Sequence, residues 1–355
     1  MYETLGLEMS PRAAALWLGL ALGLAFGALA QLTQFCLRRA VVGPVEERAS
    51  ARGVWAMALA VSILGTQAAV ALGWVSFDAH RFHVSALPVA GITVGGLLFG
   101  VGAVLARGCI SRLTVLGGAG NLRALTALLV FAVFAHATLQ GALAPLRSGL
   151  SAMTVDLGAQ VGLGALPGGA TVWAALLAAA ALVVAWRSGA GAWLLAGAAL
   201  LGTLAPLGWV GTGFVLHDEF DPIALESLSF TKPWADSLFW GVAASLIEPG
   251  FGVGLIGGVL AGALVAAIAA RRFAWEAFSS PVQMGRTLSG SALMGVGGVL
   301  AGGCTVGAGL AGVPTLSVAA ILALVSIVAG MWGAGVVEAR VGGQPRTDHG
   351  AVPAE

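Results

Sequence analysis

The chain is a succession of apolar runs separated by short polar breaks. Runs of spanning length occupy residues 13–35, 53–76, 88–106, 122–143, 169–186, 190–212, 252–270, 285–303 and 316–337. A hydrocarbon core of roughly 30 Å needs about 20 apolar residues per helix. Lipid offers no partner to an open backbone, so a helix is the conformation that satisfies each N–H and C=O within the run. The pattern predicts an all-α polytopic integral membrane protein with about nine transmembrane helices. One run is different: Trp234–Leu246 is short and is followed by Glu248, Pro249 and Gly250. It is expected to form a re-entrant or interfacial helix, because a tenth crossing would reverse every later span.

Composition agrees with a bilayer location. The 355 residues are 58% hydrophobic and 9% charged, with a mean hydropathy of +0.94, whereas soluble domains carry about 25% charged residues. The net charge of +1 leaves no basic face for a phosphate backbone, so no nucleic-acid partner is expected. Membrane lipid is the expected surrounding. Residues 13–27 followed by Ala28, Leu29 and Ala30 resemble a cleavable leader, but Glu3 and Glu8 outnumber Arg12 in the flank. A signal n-region is positively charged, so an uncleaved first span is expected.

Orientation follows from arginine, since Lys232 is the only lysine. Arg38, Arg39, Arg48 and Arg52 follow the first span, and Arg107, Arg112 and Arg123 flank the end of the third. Arg187 follows the fifth span, Arg271 and Arg272 the seventh, and Arg340 and Arg346 the ninth. The alternate breaks hold Asp78, Asp156 and the acidic run HDEFD. Basic residues in short loops favour the cytoplasm, which predicts an outside N-terminus and an inside C-terminus in a cytoplasmic (inner) membrane.

Two segments then stand out. LFGVGAVLARGC (Leu98–Cys109) and LMGVGGVLAGGC (Leu293–Cys304) are identical at nine of twelve positions at a single offset of 195. The first ends a span running inward and the second a span running outward, so the copies are antiparallel. The expected organisation is one transport domain over residues 1–355: an inverted pair of repeats at about 13–143 and 190–337, a linking span at 169–186, and a polar tail at 338–355. Inverted repeats place their sites at broken helices near the midplane. ISRLTVLGGAGN after Cys109 and TVGAGLAGVPTLS after Cys304 are expected to be re-entrant loops.

Only three cysteines are present, Cys36, Cys109 and Cys304, and none has the spacing of a metal site. A buried free cysteine is ordinarily a small packing residue; its thiol is also a weak donor and a soft, polarizable acceptor suited to a sulfur-bearing solute. The duplicated phrase favours the second role, with the thiols on a path from Cys304 through Cys109 to Cys36. Gly108, Gly303 and Thr305 flank the cysteines, the glycines through helix contact or through close backbone approach to an anion. Arg107 and Arg112 flank Cys109 as attractors of an anion or as inside anchors. Glu248 is an interfacial carboxylate or a proton-coupling one. Gln31, Gln34, Gln67, Gln140 and His136 are expected to serve interhelical hydrogen bonding, and Asn121 to cap a helix.

ARGCISRLTVLGGAGNLRAL (Ala106–Leu125), AGGCTVGAGLAGVPTLS (Ala301–Ser317) and QFCLRRA (Gln34–Ala40) resemble the motifs of the YeeE/YedE sulfur-transport family. The GGCTxGxGLxG pattern over Gly302–Gly312 is the specific part. The resemblance implies an hourglass-shaped permease, not an enzyme, that takes up thiosulfate ion across the cytoplasmic membrane. It also implies relay of the ion by S–H hydrogen bonds at Cys36, Cys109 and Cys304, and a cytoplasmic TusA-like sulfur-carrier protein as partner. No cofactor or metal is implied. Other members of the family are linked to selenium, so a selenium compound is an alternative substrate. A membrane thiol redox or sulfur-transfer enzyme working through Cys36 and Cys109, and a passive anion channel, are the alternatives from other classes.

Overall fold

The computed structural model describes residues 9–158 and 160–341. Thirteen α-helices follow in chain order: α1 (Pro11–Thr33), α2 (Leu37–Val42), α3 (Val45–Ala71), α4 (Val89–Leu105), α5 (Ile110–Gly118), α6 (Leu122–Gln140), α7 (Ala144–Ser151), α8 (Gly169–Arg187), α9 (Ala192–Val210), α10 (Thr231–Val242), α11 (Phe251–Ala269), α12 (Pro281–Leu300) and α13 (Val318–Val341). Among the described residues, nine helical segments are long and apolar enough to cross a membrane. The protein is a multi-pass, all-α membrane protein. Among the described residues, one pair of short strands, Ala86–Leu87 against Val155–Asp156, joins two loops.

Helix starts follow local chemistry. Ser10 and Ser280 accept from Ala13 and Gln283 N–H ahead of Pro11 and Pro281, since proline at the first position lacks a donor that would be unmet there anyway. Asn121 caps α6 by accepting from Ala124 N–H at 2.8 Å, and its amide donates to Glu276. The short apolar run expected to lie off the spanning set is α10, a 12-residue helix. Helix α13 continues to Val341, into the stretch expected as a polar tail. Residues 342–355, like Glu3 and Glu8, lie outside the described residues.

Helices approach through glycine, which lets backbones touch where no hydrophobic effect drives packing. On α1, a Cβ at Gly19, Gly23 or Gly27 would stand 2.2, 2.4 or 2.3 Å from the carbonyl oxygens of Phe251, Leu255 and Val259 on α11. The register climbs on both helices together, so α1 and α11 are parallel. The α4–α12 crossing runs the other way: a Cβ at Gly102 would meet the Gly290 carbonyl at 2.4 Å, and one at Gly297 the Gly95 carbonyl at 2.6 Å. These helices are therefore antiparallel. The 195-residue offset carries Gly95 onto Gly290 and Gly102 onto Gly297, so it exchanges the two contacts.

After each cysteine the chain is helical rather than an irregular loop. Cys109 is followed by α5, and Cys304 by a π-helical segment, Thr305–Gly312, and a 3-10 turn, Val313–Thr315. Both stretches are buried, and a backbone without water must meet its own hydrogen-bonding groups. Where the second helix is irregular, side chains complete it: Ser62 of α3 donates to Leu310 O (2.7 Å), Trp209 of α9 to Ala311 O (3.2 Å) and Gln67 to Pro314 O (2.7 Å).

Candidate functional site

All three cysteines sit where one helix stops and a short one starts. Helix α4 ends in a left-handed turn: Arg107 (φ +58°) donates to Val104 O and Gly108 to Ala103 O, and Cys109 then opens α5. Helix α12 ends alike, with Gly302 (φ +74°) donating to Val299 O before Cys304 opens the π-helical segment. This turn closes orphan carbonyls at a helix end and favours glycine. Arg107 and Gly302 thus share one backbone conformation although their side chains differ. Cys36 follows the left-handed Gln34 (φ +53°) at the end of α1 and opens α2.

The three thiols are free and buried, with 0% of Cys304, 1% of Cys109 and 9% of Cys36 exposed. Gly307 N–H donates to Cys304 Sγ at 3.4 Å. The N–H groups of Phe230 and Val306 also bear on that sulfur, and the Thr231 hydroxyl approaches it. Cys109 Sγ lies 3.3 Å from Ser111 Oγ. Its other neighbours are the Cys36 thiol and the Thr305 hydroxyl. The Arg112 guanidinium stands within electrostatic reach of both Cys36 and Cys109.

Several polar atoms along this line have no partner at full hydrogen-bond geometry: Ser229 Oγ, Thr231 Oγ1, Thr305 Oγ1 and Arg112 Nη1. Leaving a buried polar group unmet costs about 1–3 kcal/mol, and native proteins leave few. Four such groups stand near the three thiols in an apolar core. The N–H groups at the starts of the broken helices add partial positive charge. The arrangement can hold an anion at successive points, and it contains no general base or paired carboxylates for hydrolytic chemistry among the residues just named.

A cavity of about 380 Å³ is lined by Arg81, Glu226, Ser229, Lys232 and Gly307, among others, and the Gly307 N–H reaches Cys304. Lys232 pairs with Asp236 at 2.7 Å and Glu226 at 3.5 Å. Burial opposes the Lys232 charge, but Glu226 and Asp236 outweigh it and hold the ammonium above its ordinary pKa. Burial, with the charges of Arg81 and His83, lowers the His80 pKa to about 4. Near neutral pH this wall therefore holds a charged Lys232 and an uncharged His80.

The expected residues divide. Cys36, Cys109, Cys304, Thr305 and Arg112 come together in the core, and Arg107 and Glu248 are exposed. Gly303 is a tight contact, where a Cβ would stand 3.0 Å from Ala308 N; at Gly108 it would meet Leu113 at an ordinary 3.4 Å. Gln67 bonds between helices, and His136 stacks on Phe239 at 4.8 Å. Ser229, Thr231, Arg81 and Lys232 lie near Cys304 or line the cavity beside it, and the sequence did not single them out. One signal existed for Thr231: the offset that aligns Cys109 with Cys304 aligns it with Cys36.

A model of the sulphur-transport family matches residues 32–333, which include all three cysteines. Among curated proteins, the thiosulfate transporter TsuA of Spirochaeta thermophila is 29% identical over 334 residues, covering 89% of this chain and 97% of that protein. The thiosulfate transporter TsuA of Escherichia coli K12 is 26% identical over 345 residues, covering 88% and 92%. With the match running through the broken helices that carry the thiols, the chain belongs to the sulphur-transport family.

Proposed function

We propose that the protein is a permease that carries thiosulfate, or a closely related sulfur anion, inward across the cytoplasmic membrane. The observation that supports this reading is the set of buried free thiols, Cys304, Cys109 and Cys36, with the buried polar groups of Thr231, Thr305 and Arg112 beside them. The names of the two relatives supply the substrate class. The arginine-rich end faces the cytoplasm, by the bias of basic residues to that side, so the N-terminus is outside and the C-terminus inside.

The path runs from Cys304 to Cys109 to Cys36. Each thiol donates a weak hydrogen bond to the terminal sulfur, a soft acceptor. Backbone N–H groups and the Arg112 guanidinium offset the charge, which is costly to bury alone. Weak contacts in sequence favour passage, because the ion is held at each point without being trapped. No covalent step is needed. Arg112 and the neighbouring arginines form the exit, where a TusA-like sulfur-carrier protein takes the sulfur.

Uptake of labelled thiosulfate into vesicles containing the protein tests the reading. Saturable uptake that excess sulfate does not suppress supports it, and competition by sulfite and selenium analogues maps the substrate range. Absence of protein-dependent uptake overturns it. A second reading, a membrane thiol redox or sulfur-transfer enzyme, draws on the adjacency of Cys36 and Cys109. A Cys36–Cys109 disulfide that forms and is reduced with each turnover would favour it.

A further inference from the structure

The 195-residue offset pairs more than the cysteines. It sets QFCLRRA (Gln34–Ala40) against SFTKPWA (Ser229–Ala235), which share the phenylalanine and the final alanine and place Thr231 at the position of Cys36. The structure repeats the pairing. Phe35 and Phe230 both pack on Phe26, with centroids 6.2 and 5.2 Å away. In the inner half the Cys36 thiol neighbours Cys109; in the outer half the Thr231 hydroxyl neighbours Cys304. Thr231 is 5% exposed, and its hydroxyl meets no protein atom at full hydrogen-bond geometry. Ser229, two residues earlier, stands against Gly307, whose N–H reaches Cys304: a Cβ on that glycine would lie 2.9 Å from Ser229 Oγ.

We propose that Thr231 is a fourth contact on the path, the outer-half counterpart of Cys36, and that its hydroxyl, with those of Ser229 and Thr305, binds the oxo end of the anion while the terminal sulfur faces Cys304. This rests on the transport reading above. A hydroxyl is a stronger donor than a thiol and suits charged oxygens, whereas a thiol suits a soft sulfur. The two halves therefore read the ion differently. The outer half, with one thiol and three unmet hydroxyls, recognises an anion that carries both a sulfur and oxo groups. The inner half, with two adjacent thiols, attends to the sulfur. With Thr231 at the position where the inner half has Cys36, the outer site is the place where an oxyanion of sulfur is selected over a species lacking oxo groups, such as hydrosulfide.

Initial rates of thiosulfate uptake by purified protein in proteoliposomes test this with Thr231→Val, nearly the same shape without the donor, and Thr231→Ser, which keeps it. The expected result is a KM raised about tenfold or more for Thr231→Val, the loss of a hydrogen bond to a charged group, and a KM within about threefold of the parent for Thr231→Ser. Thermal unfolding of each variant accompanies the kinetics. Uptake by Thr231→Val at the parental KM overturns the proposal. So does an equal defect in both variants, which marks the position as one of packing. A parent protein that takes up no thiosulfate removes the transport reading itself, and that outcome is visible before any variant is compared.

Discussion

The hydroxyl of Thr305 lies against the thiol of Cys109, so a residue of the second half completes the surroundings of a cysteine in the first. Thr305 is also the chain neighbour of Cys304. One threonine therefore links the outer sulfur to the inner pair. Neither half holds the whole string of donors by itself.

If the thiols act in sequence, each is needed. Cys304→Ala, Cys109→Ala and Cys36→Ala are each expected to depress thiosulfate-dependent growth in a strain without other uptake routes, while the protein is still inserted. Each substitution removes one buried sulfur atom and leaves a small cavity, which costs some stability, so thermal unfolding is measured beside growth to separate the two effects. Parental growth by all three single variants would contradict the relay.

The two arginines beside Cys109 are expected to separate. Arg112 has a buried, unmet nitrogen near Cys36 and Cys109, and Arg112→Ala should cut uptake about tenfold or more, the scale of a lost charge-assisted hydrogen bond. Arg107 is exposed and left-handed at φ +58°. Arg107→Gly should leave uptake near the parental rate and raise stability by up to about 1 kcal/mol, because glycine adopts that conformation freely. Uptake kinetics and thermal unfolding in detergent check both.

The antiparallel glycine crossing makes a steric prediction. A methyl group at Gly297 would stand 2.5 Å from Phe99 N and 2.6 Å from Gly95 O. Gly297→Ala should destabilise the protein by about 1–3 kcal/mol, as overpacking does. Gly333, inside α13, has nothing within 4 Å of its added Cβ. Gly333→Ala should instead stabilise by about 0.5–1 kcal/mol, by relieving the entropy of glycine in a helix. Equal shifts in the melting temperature of the two variants would refute the close crossing.

His80 sets an acid limit. Its pKa is about 4 in the folded protein, against 6.5 for the free side chain. Below pH 6.5 the unfolded chain takes up a proton that the folded chain refuses, so acid favours unfolding. The stabilisation from keeping His80 neutral is complete above about pH 6.5 and is lost as pH falls to about 4. His83, lowered by its own burial, acts in the same direction. Unfolding midpoints measured from pH 7 to pH 4 should fall less steeply for His80→Gln than for the parent.

The sequence determined the class of molecule and its helices, because spanning length and hydropathy are local properties and the bilayer allows one conformation for such runs. It also singled out the three cysteines, through a repeat dense enough to survive in a low-complexity background. It did not show that the stretches after Cys109 and Cys304 are helical, since glycine-rich and polar runs look like loops until burial forces their backbone groups to pair. Nor could it tell Arg112 from Arg107. Both are arginines near one cysteine, and only the left-handed turn at Arg107 decides that one side chain leaves the core while the other enters α5. Thr231, Ser229 and Thr305 became a group only in three dimensions. Only Thr305, beside its cysteine, stood out in sequence; what the three hydroxyls share is burial without a full hydrogen-bond partner, a property that exists only once the helices have packed.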